Sequence, residues 1–521
     1  MFITLIRFCA RASAIYRFIS LLLITDEYII NSKSSPIGEE AVNAYINVKN
    51  FGPIEKAEID LRPLTVFVGE SNTGKTYLAA LIYALYENFG GISQFPWADS
   101  TASYFDFVLR SPDHYPQDQW EALEQEMLAA LDKLNTPERP FKFSDLPQRI
   151  QVTLAYGLTH QEDFPNELKR CFNLEDVSKL IRFTESQDKE MKVSLTVRDK
   201  EHKFWDFEVR ASGSADPTII GRINPDMVLL DAKRKTEFCP VPDVEHLLQT
   251  LRTDQWQEGY SYYLPAVRSG IMQSRDVLAT ALIKWSTRLG LDRFELSMFS
   301  GMVADFLQQI VNYKEHKGSS SNIRRVAEQL EAELLEGKIE VERPTPEASP
   351  EFLYRPDQAE EALRMSHSSA MVSELAPLVL FLRSIVKQGD LLIIEEPESH
   401  LHPGAQTKIA QTLARLIRAG VRVVITTHSN YLLQQISNLI REGELQKHGK
   451  PTSESADWLK AEEVGAWQFH KNEPVTELPF DLVEGIEPED HLDIAEDLYN
   501  RSAGLQNRIE QMKGSDAVES E

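Results

Sequence analysis

Leu64-Thr65-Val66-Phe67-Val68-Gly69-Glu70-Ser71-Asn72-Thr73-Gly74-Lys75-Thr76 is the stretch that decides the fold. Leu64 to Val68 is a short, continuously apolar run, as expected of a strand buried on both faces. Gly69 to Thr76 satisfies the pattern G-x-x-x-x-G-K-[ST] in full. From Tyr77 to Tyr86 the apolar residues fall at helical spacing. Strand, glycine loop and helix in this order make a phosphate cradle. Gly69 and Gly74 permit backbone angles that a side chain would block. Glu70, Ser71, Asn72 and Thr73 can then turn their N–H groups inward around phosphate oxygens. The helix starting near Lys75 adds the positive end of its dipole. Lys75 reaches the β- and γ-phosphates, and the Thr76 hydroxyl is placed to ligate Mg²⁺.

A cradle of this kind needs a second strand end that carries carboxylates. Leu391-Leu392-Ile393-Ile394-Glu395-Glu396 supplies one. Glu395 can hold Mg²⁺ or its water, and Glu396 can orient and deprotonate an attacking water. Adjacent glutamates repel unless a cation lies nearby. One helix and one strand further on, Val421 to Thr427 ends in His428-Ser429. A histidine at the carboxyl end of a parallel strand faces the crevice where ligands bind, where it can polarise a γ-phosphate. His400, His402 and His428 lack the Cys or carboxylate partners of a zinc shell, so no metal site is expected of them.

Outward from these motifs, Tyr45 to Asn50 and Ile54 to Leu61 read as strands flanking a Gly52-Pro53 turn. Trp97 to Arg182 reads as mostly helical, with Glu121 to Leu134 its clearest amphipathic piece. Met191 to Val197 and Phe204 to Val209 read as a hairpin, and Tyr262 to Arg268 as a strand or strand end. Ala279 to Tyr313 and Asn322 to Leu335 read as helix, and Lys338 to Val341 and Phe352 to Tyr354 as paired strands. Apolar strands alternating with helices between Ser373 and Thr427 imply a parallel sheet. From Asp481 onward twelve Asp or Glu stand against three Arg or Lys, a solvated helical tail.

The whole chain has 521 residues and a net charge of −25. Its field gives no help in binding nucleic acid, so DNA contact would need a local basic patch. No window is apolar enough for a bilayer span, so stable membrane insertion is not expected. Cys9, Cys171 and Cys239 are scattered, which fits a reducing, cytoplasmic location.

The glycine loop, the run Glu395-Glu396-Pro397-Glu398-Ser399-His400-Leu401-His402-Pro403 and Thr427-His428-Ser429 together resemble ABC-type ATPases of the RecF/OLD branch, often labelled AAA-family ATPases. Within it they resemble stand-alone bacterial ATPases of phage-defence systems of the Septu or retron-associated type. The resemblance covers Tyr45 to Ala84 and about Met365 to Ile440. It implies an α/β fold: a P-loop NTPase of ABC-type head form, with a mixed or parallel sheet and a mainly helical insertion domain. It implies ATP and Mg²⁺ as ligands, and a head that dimerises on ATP, or forms a higher oligomer. Ser368-Ser369 running into Glu374 resembles the signature segment that contacts ATP on the opposite subunit, although it differs from the usual Ser-Gly-Gly form, and Ser399 to Pro403 resembles the D-loop. Ser368-Ser369 reads equally as a helix N-cap. Leu264-Pro265-Ala266-Val267-Arg268 resembles a Pro-x-x-Arg strand end near the nucleotide.

The expected organisation is an N-terminal extension over 1–43 and ATPase lobe parts over 44–96 and 346–475. Between them lies the insertion over 97–345, and an acidic tail follows over 476–521. Leu482-Val483-Glu484-Gly485 looks like the opening of an OLD-type nuclease domain, but the forty residues from there cannot hold one. Nuclease activity would then belong to a separate effector switched by this ATPase, in anti-phage defence. A DNA repair or chromosome-maintenance ATPase that itself binds DNA is the first alternative. A nucleotide-gated scaffold with little turnover is the second.

Overall fold

In a computed structural model of the protein the described residues are 43–89, 141–146, 148–159, 163–182, 190–198, 203–213, 216–230, 259–274, 299–315, 321–343, 349–449, 457–488 and 499–509. The N-terminal extension, Glu121 to Leu134, Cys9, Cys239 and much of the helix expected from Ala279 lie outside them.

The strands are β1 (Asn43–Phe51), β2 (Ile54–Leu61), β3 (Leu64–Gly69), β4 (Phe141–Lys142), β5 (Glu190–Arg198), β6 (Lys203–Ser212), β7 (Thr218–Ile223), β8 (Val228–Leu230), β9 (Ser261–Leu264), β10 (Gly337–Glu342), β11 (Glu351–Pro356), β12 (Leu363–Arg364), β13 (Leu391–Glu395), β14 (Arg422–Thr427), β15 (Val464–Phe469) and β16 (Thr476–Leu478). The α-helices are α1 (Lys75–Phe89), α2 (Gln148–Thr159), α3 (Asp163–Phe172), α4 (Gly301–Val311), α5 (Asn322–Leu330), α6 (Ala370–Ser384), α7 (Pro403–Arg418) and α8 (Asn430–Lys447).

Six strands form the sheet that carries the motifs, in the order β16-β15-β3-β14-β13-β9. All its pairs are parallel except β15 with β16. β3, β13 and β14 are buried almost throughout, which is why their sequences are continuous apolar runs rather than alternating ones. β14 pairs Thr427 with Val68 and Thr426 with Glu395. That register brings the carboxyl ends of the three strands side by side, the edge where open α/β sheets bind ligands.

A second, antiparallel sheet has the order β2-β1-β5-β6-β7. The hairpin expected at Met191 to Val209 thus completes a sheet begun by the two N-terminal strands. β1 and β5 alternate buried and less buried residues, as one covered face requires. α1 lies in the core between the two sheets, in one apolar cluster with Ile46, Val193, Phe207 and Ile393. This explains its sequence, Leu78-Ala79-Ala80-Leu81-Ile82, which is apolar all round rather than along a stripe. The opposite face of the parallel sheet packs α6, α7 and α8 with Leu64, Val66, Leu392 and Val423. Each fully buried Leu, Ile or Val there contributes about 1.5–3 kcal/mol.

Lys338 pairs with Arg355 and Ile339 with Tyr354, the strand pair expected there. Pro265 ends β9 at Leu264, so Arg268 opens a helical turn instead of closing a strand. Residues 499–509 are helical and almost wholly exposed. Among the described residues no helix is long and apolar enough to cross a membrane.

Candidate functional site

Gly69 leaves β3 with φ +134°, Asn72 has φ +64° and Gly74 has φ +110°. A Cβ at Gly69 would run into the carbonyl oxygen of Phe469 on β15, and one at Gly74 would lie 2.6 Å from Ile54 Cγ1. Both glycines are thus required by backbone angle and by space. The Thr73 hydroxyl donates to Glu70 O at 2.8 Å and pins the loop. Glu70, Ser71, Asn72 and Thr76 are exposed around it. Lys75 is only 6% exposed. Its Nζ donates to Gly69 O at 2.7 Å and to Glu70 O at 2.6 Å. Burial lowers its pKa to about 8, against the charges of Glu396, Glu398 and Glu70, which raise it.

Glu395 ends β13 with its side chain inside, and Glu396 turns out of the strand through a left-handed φ of +42°. That single kink sends two neighbouring carboxylates to different surroundings. Glu395 is 8% exposed, whereas the Glu396 side chain is 41% exposed. Glu395 Oε2 accepts from Ala266 N at 2.9 Å, and its Oε1 is buried without a hydrogen bond. Glu396 Oε2 accepts from Ser399 Oγ at 3.0 Å, and Oε1 lies 3.8 Å from His428 Nε2. Glu396 N donates to Thr426 O at 2.9 Å, fastening the kink to β14.

Glu398 is a further carboxylate here that its place in the 395–403 run alone did not single out. It is buried, and its Oε1 accepts from Thr427 Oγ1 and from His428 N, both at 2.7 Å. It thereby joins the end of β14 to the segment after β13 and sets the backbone that carries His428. Burial raises its pKa, and the two bonds it accepts oppose the rise. Ser429 caps α8 by accepting from Leu432 N at 3.1 Å.

Arg268 was expected near the nucleotide; the structure buries it behind the carboxylates. It is 1% exposed. Nη1 donates to Glu395 O at 2.5 Å and Nη2 to Glu396 O at 3.0 Å. Its ion pair with the fully buried Glu374 of α6 is 2.5 Å long.

Ser369 caps α6, accepting from Val372 N at 3.3 Å, and Ser368 Oγ donates to Met365 O at 2.7 Å. Among the described residues no hydrogen bond or ion pair joins either serine to Gly69–Thr76. Within this one chain the loop, Glu395, Glu396 and His428 therefore share one edge, while Ser368 and Ser369 have their own place at the start of α6. His402 caps α7 through Nδ1, which accepts from Gly404 N at 3.3 Å, and His400 is exposed with φ +62°.

Charge tests whether a divalent cation fits. Glu396, Glu398 and Glu70 act on Lys75, and Glu374, Glu395, Glu398 and Glu396 act on Arg268, so five carboxylates crowd these two cations. One buried oxygen of Glu395 also has no hydrogen bond of good geometry, although the buried Tyr263 hydroxyl interacts with this carboxylate. The site thus has an excess of negative charge and an unmet acceptor. Among the described residues no group of three or more His, Cys, Asp or Glu could cage a metal unaided. Those two facts agree for Mg²⁺, which takes few protein ligands and relies on phosphates and waters.

Known proteins resemble the chain in parts. Residues 44–207 match the family described as "AAA ATPase domain", and residues 281–434 match that described as "AAA domain, putative AbiEii toxin, Type IV TA system". The cobalt import ATP-binding protein CbiO of Salmonella typhimurium is 30% identical over 71 residues, 13% of this chain and 26% of that protein. The match therefore spans about a quarter of the relative's length. Among solved structures, an SMC head bound to the C-winged helix domain of ScpA superposes with a TM-score of 0.38 at 10% identity, covering 85% of this chain and 98% of that one. The recombination mediator protein RecF of the RecFOR pathway gives a TM-score of 0.32 at 10% identity, covering 84% and 98%.

Proposed function

We propose that this chain binds and hydrolyses ATP, and that it is a head that dimerises on ATP to switch a separate effector. The observation that carries the proposal is the common edge of β3, β13 and β14. There a glycine loop with a buried lysine faces two carboxylates held in different environments, with a histidine 3.8 Å from one of them.

ATP binding draws Lys75 from the carbonyls of Gly69 and Glu70 onto the β- and γ-phosphates, whose negative charge favours the ammonium form against burial. The free N–H groups at the start of α1 hold phosphate oxygens. Thr76 and Glu395 would hold Mg²⁺, which neutralises charge on the transferring phosphoryl group. Glu396 takes the proton of the attacking water, and the hydroxyl of Ser399 keeps its carboxylate aimed. His428 faces the γ-phosphate side of Glu396. The lobes over 44–96 and 346–475 would form the head, the insertion over 97–345 would meet the partner, and Ser368–Ser369 would complete the site of a second copy. Anti-phage defence, with a nuclease as the effector, is the setting that fits the resemblance of the motifs.

The test is turnover with and without the key side chains. Glu396→Gln should lower ATP hydrolysis by about 10²–10⁴-fold with nucleotide affinity kept. Lys75→Ala should lose nucleotide binding. An unchanged rate in the first variant would remove the base, and undiminished affinity in the second would remove the phosphate loop. Size measurements on Glu396→Gln with and without ATP test the dimer. The same protein recovered with ATP from its host should carry an effector in fixed ratio; a dimer carrying only DNA would favour the repair reading.

A further inference from the structure

We infer that Arg268, backed by Glu374, is the positioning residue that holds the Glu395–Glu396 kink in its working geometry. The inference rests on the ATPase reading of this site and adds to it the device that keeps two adjacent carboxylates apart in role.

The kink has a structural cost that its own strand cannot meet. β13 ends at Glu395, and Glu396 takes a left-handed backbone that a non-glycine residue adopts only where its surroundings impose it. The carbonyls of Glu395 and Glu396 lie at the end of the ladder, and Glu396 O also accepts from Ser399 N at 3.0 Å. Arg268 supplies donors to both, at 2.5 Å and 3.0 Å. It also donates from Nη1 to Pro265 O at 3.1 Å and from Nε to Glu374 O at 3.3 Å. One planar guanidinium thus ties together β13, the turn after β9 and α6.

The same turn grips the Glu395 side chain. Ala266 N donates to Glu395 Oε2, while Arg268, two residues on, holds the Glu395 backbone. Side chain and main chain of one carboxylate residue are therefore fixed by a single four-residue turn, Pro265 to Arg268. With Glu395 fixed inward, the left-handed step leaves Glu396 only the outward direction, towards Ser399 and His428. Glu374 makes this arrangement possible, because a buried guanidinium needs a counter-charge. It lies 2.5 Å from Nη2 and is fully buried.

Arginine is required by donor geometry. Four backbone carbonyls on three chain segments accept from the planar fork while Glu374 balances its charge, and a lysine ammonium offers three donors from one point. Arg268→Lys keeps a charge beside Glu374 yet cannot span Glu395 O and Glu396 O together. The double variant Arg268→Met/Glu374→Leu removes both charges of this ion pair, so neither partner is left buried without the other, and it is the variant chosen to fold.

The experiment measures kcat, KM and nucleotide affinity for the full chain, for Arg268→Lys, for the double variant, and for each change combined with Glu396→Gln. The expected result is a fall in kcat of about 10²-fold, as for a displaced catalytic group, with nucleotide affinity within about 2-fold. Each change should have no further effect once Glu396 is already Gln. A kcat within about 3-fold of the parent in either folded variant would overturn the inference, as would a loss that adds in full to that of Glu396→Gln. The two readings fail separately. A parent chain without turnover defeats the ATPase reading itself. An active parent silenced by Glu396→Gln but indifferent to Arg268 defeats only this inference.

Discussion

Lys75 carries a strain that shows how the loop is built for a ligand. Buried and donating only to two carbonyls, it has a pKa lowered to about 8 from 10.5. The folded, nucleotide-free protein therefore releases this proton about two units earlier than the unfolded chain does. Between about pH 8 and 10.5 the unfolded state binds more protons, so stability rises with pH across that window. Below pH 8 the full cost of the buried charge is present. Lys75→Met removes it, so the variant should be more stable than the parent at pH 7 by about 1–3 kcal/mol, with the difference shrinking towards pH 10.5. Urea unfolding of both proteins at the two ends of the window reads this directly. A variant that is less stable at pH 7 would mean that the bonds to Gly69 O and Glu70 O outweigh the burial of charge. Lys75, Thr76, Glu395, Glu396 and His428 were all legible as candidates, because phosphate chemistry demands such side chains at strand ends and at the start of the helix after a glycine loop. Glu398 was not, since its work is to accept a bond from a residue 29 positions away, and Glu374 was legible only as the end of the signature-like segment, not as the counter-charge of Arg268, because no local pattern encodes such partners.

Elements follow the same division. β3, β13 and β14 could be read because strands buried on both faces are continuous apolar runs, and α7 begins where His402-Pro403 starts it. β15 was missed. Val464-Gly465-Ala466-Trp467-Gln468-Phe469 holds a glycine and a glutamine, and lies beyond the last motif. Its place beside β3 is set by pairing across the whole sheet, Val464 with Leu64 through Phe469 with Gly69. The assembly of β5, β6 and β7 onto β1 is likewise a long-range fact. Packing at the element scale is close enough to test. Gly443, inside α8, lies so near the carbonyl oxygen of Leu459 that a Cβ would overlap it, and Leu459 N donates to Leu439 O at 2.9 Å. Gly443→Ala raises intrinsic helix propensity but must push the 457–460 segment off α8. The clash should win, lowering stability by about 1–3 kcal/mol while ATP affinity stays unchanged. A raised melting temperature would show that the segment yields freely.

At the scale of the whole molecule, charge separates the two kinds of partner. With −25 net, the chain repels a duplex at long range unless basic side chains are gathered and free. The described arginines are largely committed to acids: Arg62 to Glu477 at 2.6 Å, Arg355 to Glu340 at 2.6 Å, Arg383 to Glu331 at 2.5 Å and Arg415 to Asp457 at 2.7 Å. Arg62 also bonds Val464 O at 2.8 Å, so releasing it for phosphate would loosen the sheet edge at β15 and β16. An effector that recognises a folded surface does not need such a patch. The isolated chain should therefore show no duplex binding by fluorescence anisotropy at 150 mM salt up to about 100 μM protein, the concentration at which even weak non-specific binders are half saturated. Adding ATP to Glu396→Gln should not change this. Binding that appears only with ATP and falls steeply with salt would instead mean that closure gathers basic residues from two copies into one surface, and the repair-type reading would then account for the molecule better than a switch acting on a separate effector.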